Sequence, residues 1–318
     1  MAIVSAFDLA GKRVFVAGHK GMVGSAIIRR LQTEDVTVLT ADRSEVDLTD
    51  QSAVRNWMKR NKPDVVYLAA AKVGGILANA SFPAHFLYEN LMIEANVIDS
   101  AWHSGVQKLI FFGSTCIYPK FAKQPIQEDS LLTGPLEQTN EWYAIAKIAG
   151  VKLCQAYRKQ YNSDFISVQP TNLYGPGDNY DLHNSHVLPA LIRKAHEAKT
   201  DNAAELVVWG SGNPLREFLH VDDLADAAVY LSKKYSGISP VNVGSGEEIS
   251  IADLARSVCN TVGFNGTLTF DSSKPDGTPR KLADSSLLKR IGWNNPRPLA
   301  DGIKATYQEL IDNEFAYF

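Results

Sequence analysis

Over its first 170 residues the chain alternates short, nearly uninterrupted apolar runs with longer segments whose apolar residues recur at helical spacing. Residues 13–17, 36–39, 64–70, 108–112 and 164–169 read as strands, and 25–32, 52–60, 83–104 and 142–160 as helices. A strand that is apolar on both faces must be covered on both faces. The repeated strand–helix–strand order supplies the covering helices, so the expected fold class is α/β, a doubly wound parallel sheet.

After Pro170 this rhythm breaks. Glycine and proline cluster at 174–177 and 210–214, and 272–281 is charged, irregular and holds two more prolines. Residues 220–235 read as a helix and 240–243 as a strand, both able to return to the first sheet. The expected division is 1–173 plus about 217–245 for the sheet domain, and about 174–216 plus 246–318 for a smaller, more irregular α/β lobe.

Charge and cysteine content narrow the class of protein. The 318 residues carry 35 acidic and 32 basic side chains, a net charge of −3, where a general nucleic-acid binder would present a basic domain. Cys116, Cys154 and Cys259 form no C-x-x-C pair, so neither a zinc ribbon nor a disulfide framework is expected. The first ten residues lack a basic segment and Asp8 interrupts their apolar stretch, unlike a signal peptide. No apolar run reaches membrane-spanning length. The expectation is a cytoplasmic protein without metal, nucleic-acid or membrane partners.

Between the first strand and the first helix stands Gly18-His19-Lys20-Gly21-Met22-Val23-Gly24, a GxxGxxG spacing. Glycines there permit a tight turn and close backbone approach to a pyrophosphate, while the helix N-terminus adds N–H groups and a positive dipole. The pattern alone is weak. Following a strand and opening a helix at the first βα turn, it has the context that a dinucleotide site requires. A ribose-binding acid is expected roughly 20 residues further on, where Asp42 and Arg43 both stand. Asp42 alone favours NAD. Arg43 with Lys20 would instead hold the 2′-phosphate of NADP, unless both are solvated surface cations.

Tyr143 and Lys147 lie four residues apart within a helical segment, hence on one face. An ammonium beside a phenol favours the phenolate, and such a tyrosine passes a proton to a carbonyl oxygen as hydride reaches its carbon. Ser114 follows the fourth strand, where parallel sheets bind ligands, and is placed to hydrogen-bond a substrate oxygen.

Gly18, Gly21 and Gly24 together with Ser114, Tyr143 and Lys147 resemble the extended short-chain dehydrogenase/reductase superfamily, whose members bind nucleotide sugars between a Rossmann lobe and a smaller C-terminal lobe. Cys116, the Asn184-Ser185-His186 segment and the strings AAAKVGG (69–75), PTNLYGP (170–176), REFLHVDD (216–223) and KPDGTPRK (274–281) narrow that resemblance to the GDP-L-fucose synthase family. The resemblance implies NADP(H) as cofactor and GDP-4-keto-6-deoxy-D-mannose as substrate, with inversion of C3 and C5 followed by reduction of C4. It implies that the glycine-loop residues 18–24, Arg43, Phe112, Gly113, Ser114, Thr115, Lys147, Pro170, Thr171, Asn172, Leu173 and His186 hold the cofactor. Cys116 would be the base and His186 the acid of the inversions. Ser114 and Tyr143 would polarise the C4 oxygen, with Tyr143 as proton donor. Lys194, Trp209, Arg216 and Asp276 would bind the GDP-sugar, although buried packing is a rival reading for Trp209. Lys194 stands where the family often has arginine, and it binds phosphate as a point charge without a bidentate fork. Thr115 and Gln138 replace a common serine and proline. The resemblance also implies a homodimer through a four-helix bundle built from the helices near 83–104 and 142–160.

Other side chains take ordinary readings. Cys154 and Cys259 fit apolar helical faces, His183 is a loop residue, and His220 makes a structural hydrogen bond. Two rivals remain. A nucleotide-sugar 4-epimerase or 4,6-dehydratase of the same superfamily is one, but a dehydratase would want an acid where Cys116 stands. A non-catalytic NADP-binding sensor is the other, and it has no need of an intact Ser114, Tyr143 and Lys147.

Overall fold

The structure, a computed structural model, describes residues 6–182, 184–274 and 276–316. His183, Pro275 and the first five residues, on which part of the leader reading rests, lie outside them. The first half of the chain runs β1 (Lys12–Ala17), α1 (Met22–Leu31), β2 (Val36–Leu39), α2 (Gln51–Asn61), β3 (Val65–Leu68), α3 (Ile76–Ser81), α4 (Pro83–His103), β4 (Lys108–Phe112), α5 (Glu141–Tyr161) and β5 (Phe165–Pro170). It continues with β6 (Asn172–Tyr174), α6 (Val187–Thr200), β7 (Glu205–Trp209), β8 (Leu215–His220), α7 (Val221–Lys234), β9 (Val241–Val243) and β10 (Glu248–Ser250). The last elements are α8 (Ile251–Val262), β11 (Thr267–Asp271), β12 (Arg280–Lys281), α9 (Ser286–Ile291) and α10 (Leu299–Asp312).

Among the described residues, six strands form one parallel sheet in the order β2-β1-β3-β4-β5-β9. The apolar strand runs predicted this sheet, and β9 joins it beside β5 as the 240–243 reading allowed. Its two faces carry separate apolar clusters. One is built on Val14, Val16, Ile110 and Val168 beneath α1 and α7, the other on Phe15, Val66, Leu109 and Phe111 beneath α2, α4 and α5. The third strand is shorter than the 64–70 expected. Ala69 and Ala70 leave the sheet to back the glycine loop, where a Cβ on Gly18 would lie 2.6 Å from Ala70 N. The first helix starts at Met22 rather than at residue 25, so it rises directly from that loop.

Chain reversal lies between β1 and β3, because the chain passes from β2 over β1 to reach β3. Ligands of such sheets bind at this switch point, beyond the carboxyl ends of the strands.

The later lobe is more regular than its glycine and proline content implied. Its strands are short, β8 pairing with β6, β10 and β12, and β7 with β11. Helices α6, α8 and α10 close a core of Leu188, Ile192, Leu254, Val258 and Ile303. Ser250 caps α8 by accepting from Asp253 N at 3.0 Å, and Gly263 ends it in the left-handed region. His220 caps α7 through its ring, Nδ1 accepting from Asp222 N at 3.2 Å, which is the structural hydrogen bond expected. Cys154 and Cys259 are buried on α5 and α8, as read. Among the described residues no helix is long and apolar enough to cross a membrane.

Candidate active site

The glycine loop is shaped by its backbone. Gly18 has φ +87°, and a Cβ on Gly24 would stand against the Gly18 carbonyl and 2.8 Å from His19 Cα. Those two glycines are demanded by the protein itself. Gly21 is different, since its nearest neighbour for a Cβ, Gly18 O, is 3.5 Å away. The space that a side chain there would fill lies at the N-terminus of α1, which carries no side-chain cap, beside Met22 and Val23. An open cradle over free N–H groups fits a pyrophosphate.

Beyond β2 the charges form pairs. Lys20 Nζ lies 2.7 Å and His19 Nε2 3.3 Å from Asp42 Oδ1, and Arg43 reaches Asp47 at 3.5 Å. The Lys20 hydrogen bond holds the Asp42 carboxyl below its usual range. Lys20 and Arg43 are 73% and 76% exposed as side chains, so each is free to turn toward a phosphate. The residues present therefore fit NADP.

β4 ends at Phe112, Gly113 continues its pairing with β5, and the chain is still extended at Ser114. Gly113 N donates to Val168 O at 2.9 Å, and Ser114 N donates to Gln169 Oε1 at 2.9 Å. Ser114 Oγ accepts from Cys116 N at 3.2 Å, which closes the short helical turn Thr115–Ile117. Serine, buried Thr115 and buried cysteine thus share one turn. On the neighbouring strand Pro170 ends β5, Thr171 follows it, and Asn172 and Leu173 open β6. Thr171 Oγ1 and Asn172 Nδ2 both donate to Glu217 O, at 3.3 and 2.8 Å.

Tyr143 and Lys147 lie on one face of α5, with Lys147 Nζ 5.8 Å from the Tyr143 ring centroid. The expected lowering of the phenol is not present. Burial, then Cys116 and then Glu94, push Tyr143 well above the ordinary tyrosine range. Lys147 is engaged elsewhere, 2.9 Å from Glu94 Oε1.

Burial pushes the Cys116 thiol up, opposed by Lys281, the Ser114 hydroxyl and Lys147. His186, the cap residue of α6, opens to solvent, yet crowding by surrounding protein and then Lys281 hold its imidazole below the usual range. Lys281 therefore acts on both proposed proton-transfer groups. It lines a pocket with Thr115, Cys116, Lys120, Glu137 and Asn140. In register it stands opposite Arg216, one strand away.

The substrate-side residues gather in the lobe. Lys194 Nζ sits 4.9 Å and Lys274 Nζ 5.5 Å from the Trp209 ring centroid. Trp209 is 57% exposed, so the packing reading fails: alternation along β7 turns its ring away from the core that Leu206 and Val208 enter. Asp276 accepts from Ser211 N and Oγ at 2.7 and 2.8 Å, which ties the 274–281 string to the turn after Trp209. Arg216 lies beside it, 3.6 Å from the position of a Cβ on Gly277.

Three residues escaped the sequence reading. Glu94 is an acid inside the apolar stretch of α4, and that misplacement was its signal. Lys281 ends the KPDGTPRK stretch, where nothing in the local spacing marks it for a role. Gln169, fully buried at a strand end, holds the Ser114 turn. Only the pairing of β4 with β5 reveals it.

Comparison with known proteins agrees with this geometry. The NAD dependent epimerase/dehydratase family matches residues 14–244. A GDP-L-fucose synthase of Sinorhizobium fredii is 60% identical over 305 residues, covering 96% of this chain and 97% of the relative. Another from Escherichia coli is 52% identical over 316 residues, covering 96% and 98%. A solved GDP-L-fucose synthetase of Naegleria fowleri bound to NADP has a TM-score of 0.92 at 29% identity, covering 99% of each chain.

Proposed function

The chain belongs to the NAD dependent epimerase/dehydratase family, in its GDP-L-fucose synthase branch, and on that premise we propose that it converts GDP-4-keto-6-deoxy-D-mannose to GDP-L-fucose. It inverts C3 and C5 and then reduces the C4 ketone. The cofactor is NADP(H). One observation carries this reading over a plain epimerase or dehydratase: the Cys116 thiol is built into the turn that presents Ser114, where a thiolate would act on Tyr143. A proton-transfer group and the carbonyl-polarising groups therefore share one site.

The ketone at C4 acidifies the protons on C3 and C5. Cys116 removes a proton from one face and His186 returns one to the other. A thiol with a neutral imidazole, the forms that burial favours, holds as many protons as a thiolate with an imidazolium. Moving one proton between them therefore arms the pair with no net gain or loss of protons. Lys281 supports the thiolate form of Cys116. Ser114 and Tyr143 donate hydrogen bonds to the C4 oxygen as the enolate forms. Bound NADPH supplies the hydride that C4 takes up. Tyr143 gives its proton to the same oxygen. Gly18, Gly21 and Gly24, with Met22 and Val23, would hold the pyrophosphate. Lys20 and Arg43 would hold the 2′-phosphate beside His19. Lys147, Phe112 to Thr115, Pro170 to Leu173 and His186 would hold the nicotinamide end. Lys194, Trp209, Arg216 and Asp276 take the nucleotide and diphosphate of the sugar.

We divide the chain into a cofactor domain, 1–173 plus about 217–245, and a substrate lobe formed by the rest. The separate core under α6, α8 and α10 supports this, although residue 217 falls within β8. The enzyme is a cytoplasmic homodimer paired through α4 and α5, which leave Tyr88, Trp142 and Ile145 exposed.

The test is incubation with GDP-4-keto-6-deoxy-D-mannose and NADPH in deuterated water, with NMR of the product. GDP-L-fucose carrying deuterium at C3 and C5 is expected. A C4-reduced product with protium at both carbons, or no NADPH consumed, overturns the reading.

A further inference from the structure

Lys147 does not serve Tyr143 alone. Lys147 and Glu94 are each 2% exposed as side chains, and their charged ends are 2.9 Å apart. Glu94 comes from α4 and Lys147 from α5, two helices packed against each other. The ammonium also lies 4.8 Å from the ring centroid of Phe111 on β4. Gly150 leaves room for the acid, since a Cβ there would stand 2.8 Å from Glu94 Oε2 and against the Phe111 ring. Among the described residues nothing gives the Glu94 carboxyl oxygens a well-formed hydrogen bond. Lys147 is thus its one charged neighbour within ion-pair distance among them. A buried ion pair is weak evidence of a stabilising role, particularly when the carboxylate lacks further donors.

We propose that Glu94 is a positioning residue that keeps Tyr143 protonated beside the Lys147 ammonium, so that Tyr143 meets the C4 ketone as a phenol. The inference rests on reading the chain as a C4 reductase and concerns how that site is set for reduction.

Charge counting supplies the reason. Burial pushes the Glu94 carboxyl up and the Lys147 ammonium opposes this, supporting the carboxylate; phenol, ammonium and carboxylate then sum to zero, and losing a proton leaves a net negative charge in a buried site. Without Glu94 the same loss would take the pair from +1 to zero, which burial favours. The carboxylate therefore raises the pH at which the Tyr143 phenol gives up its proton. In reduction the Tyr143 O–H bond breaks, its proton bonds to the C4 oxygen, and the electron pair stays on Oη beside the Lys147 ammonium. An enzyme that removed hydride from an alcohol would want the opposite starting state, a phenolate. Burial, Cys116 and Glu94 all push the Tyr143 phenol up, consistent with a donor.

Other charged or titratable groups face this cluster. Cys116 reaches Tyr143 from the turn after β4, and Cys154 lies near Glu94 on α5. Lys281 of β12 faces Cys116, and Arg158 faces Cys154. All are common to the variants that follow.

The experiment compares wild type, Glu94→Gln and Glu94→Asp by the pH profile of NADPH oxidation. It adds ultraviolet difference titration of the Tyr143 phenol in enzyme without cofactor, with Tyr143→Phe as blank. Glu94→Gln should move the basic limb, and the phenol titration with it, to lower pH by about one unit or more. Glu94→Asp should restore the limb while leaving kcat reduced. Coincident limbs for wild type and Glu94→Gln overturn the proposal, as does an aspartate variant shifted as far as the glutamine one. If Glu94→Gln does not fold, Glu94→Leu takes its place, and a phenol titration that coincides with that of wild type refutes the proposal. A wild type that oxidises no NADPH with the 4-keto sugar refutes the reductase reading instead, and the phenol titration still decides the role of Glu94.

Discussion

Gly113→Ala should damage this protein through one contact. The backbone at Gly113 lies outside the left-handed region, so alanine is conformationally allowed. The obstacle is steric. A Cβ there would stand 2.8 Å from Gln169 Cδ, 2.9 Å from Nε2 and closer still to Oε1. Gln169 is fully buried and cannot swing into solvent, and its Oε1 accepts the Ser114 amide. Moving it leaves that amide unpaired, which costs about 1–3 kcal/mol. Overpacking of the site adds about 1–3 kcal/mol. Together these reach about 2–6 kcal/mol, and at about 2 °C per kcal/mol for a chain of this size the Tm should fall by about 4–12 °C. Activity should fall as well, because the displaced turn carries Ser114 and Cys116. Gly21→Ala is the contrasting variant. It meets nothing closer than 3.5 Å, so it should melt like wild type while its NADPH affinity drops, because the methyl fills the pyrophosphate cradle. Thermal melts and NADPH titrations of both variants decide the matter. A Gly113→Ala protein melting within about 1 °C of wild type would show that Gln169 does not hold the turn as argued.

Arg43→Ala should raise KM for NADPH about ten- to hundredfold, the worth of one charged hydrogen bond, and leave KM for NADH nearly unchanged. Equal effects on the two cofactors would remove Arg43 from the 2′-phosphate. Cys116→Ser should suppress exchange of the C3 and C5 protons with deuterated solvent while leaving some reduction of uninverted substrate, and exchange at the normal rate would disprove its role as base. His220 gives a pH prediction. Burial, with Arg297 and Arg29 nearby, lowers its imidazole to about 4, against a partial opposing pull from Asp222. The fold therefore needs the neutral ring, and that stability is present above pH ~6.5 and lost as pH falls toward ~4. The loss should be about 3 kcal/mol in urea midpoints, and His220→Asn, a cap that does not titrate, should flatten it.

Local sequence carried much of this. Buried parallel strands need continuous apolar runs, so the sheet, its order of helices and the glycine loop were legible from residue type alone. Ser114, Tyr143 and Lys147 pointed to the superfamily, and Cys116, residues 184–186 and the strings at 69–75, 170–176, 216–223 and 274–281 pointed to the branch. Side-chain partners across elements were not legible, because no spacing along the chain encodes them. Glu94 and Lys147 are 53 positions apart in sequence and meet only because α4 packs on α5. Gln169 reaches Ser114 through the pairing of β5 with β4. The later lobe was under-read for a related reason: strands of two or three residues are too short to show a period, and pairing with β8 holds β6, β10 and β12 in place.

Sequence by itself thus determined the sheet, the cofactor loop and the chemical groups, because these depend on residue type at local spacing. Tertiary structure alone decided how those groups are charged. A phenol read as acidified is held protonated, and the lysine read as its partner faces a buried carboxylate instead. Burial and neighbouring charge set such states, and both exist only once distant segments are packed together.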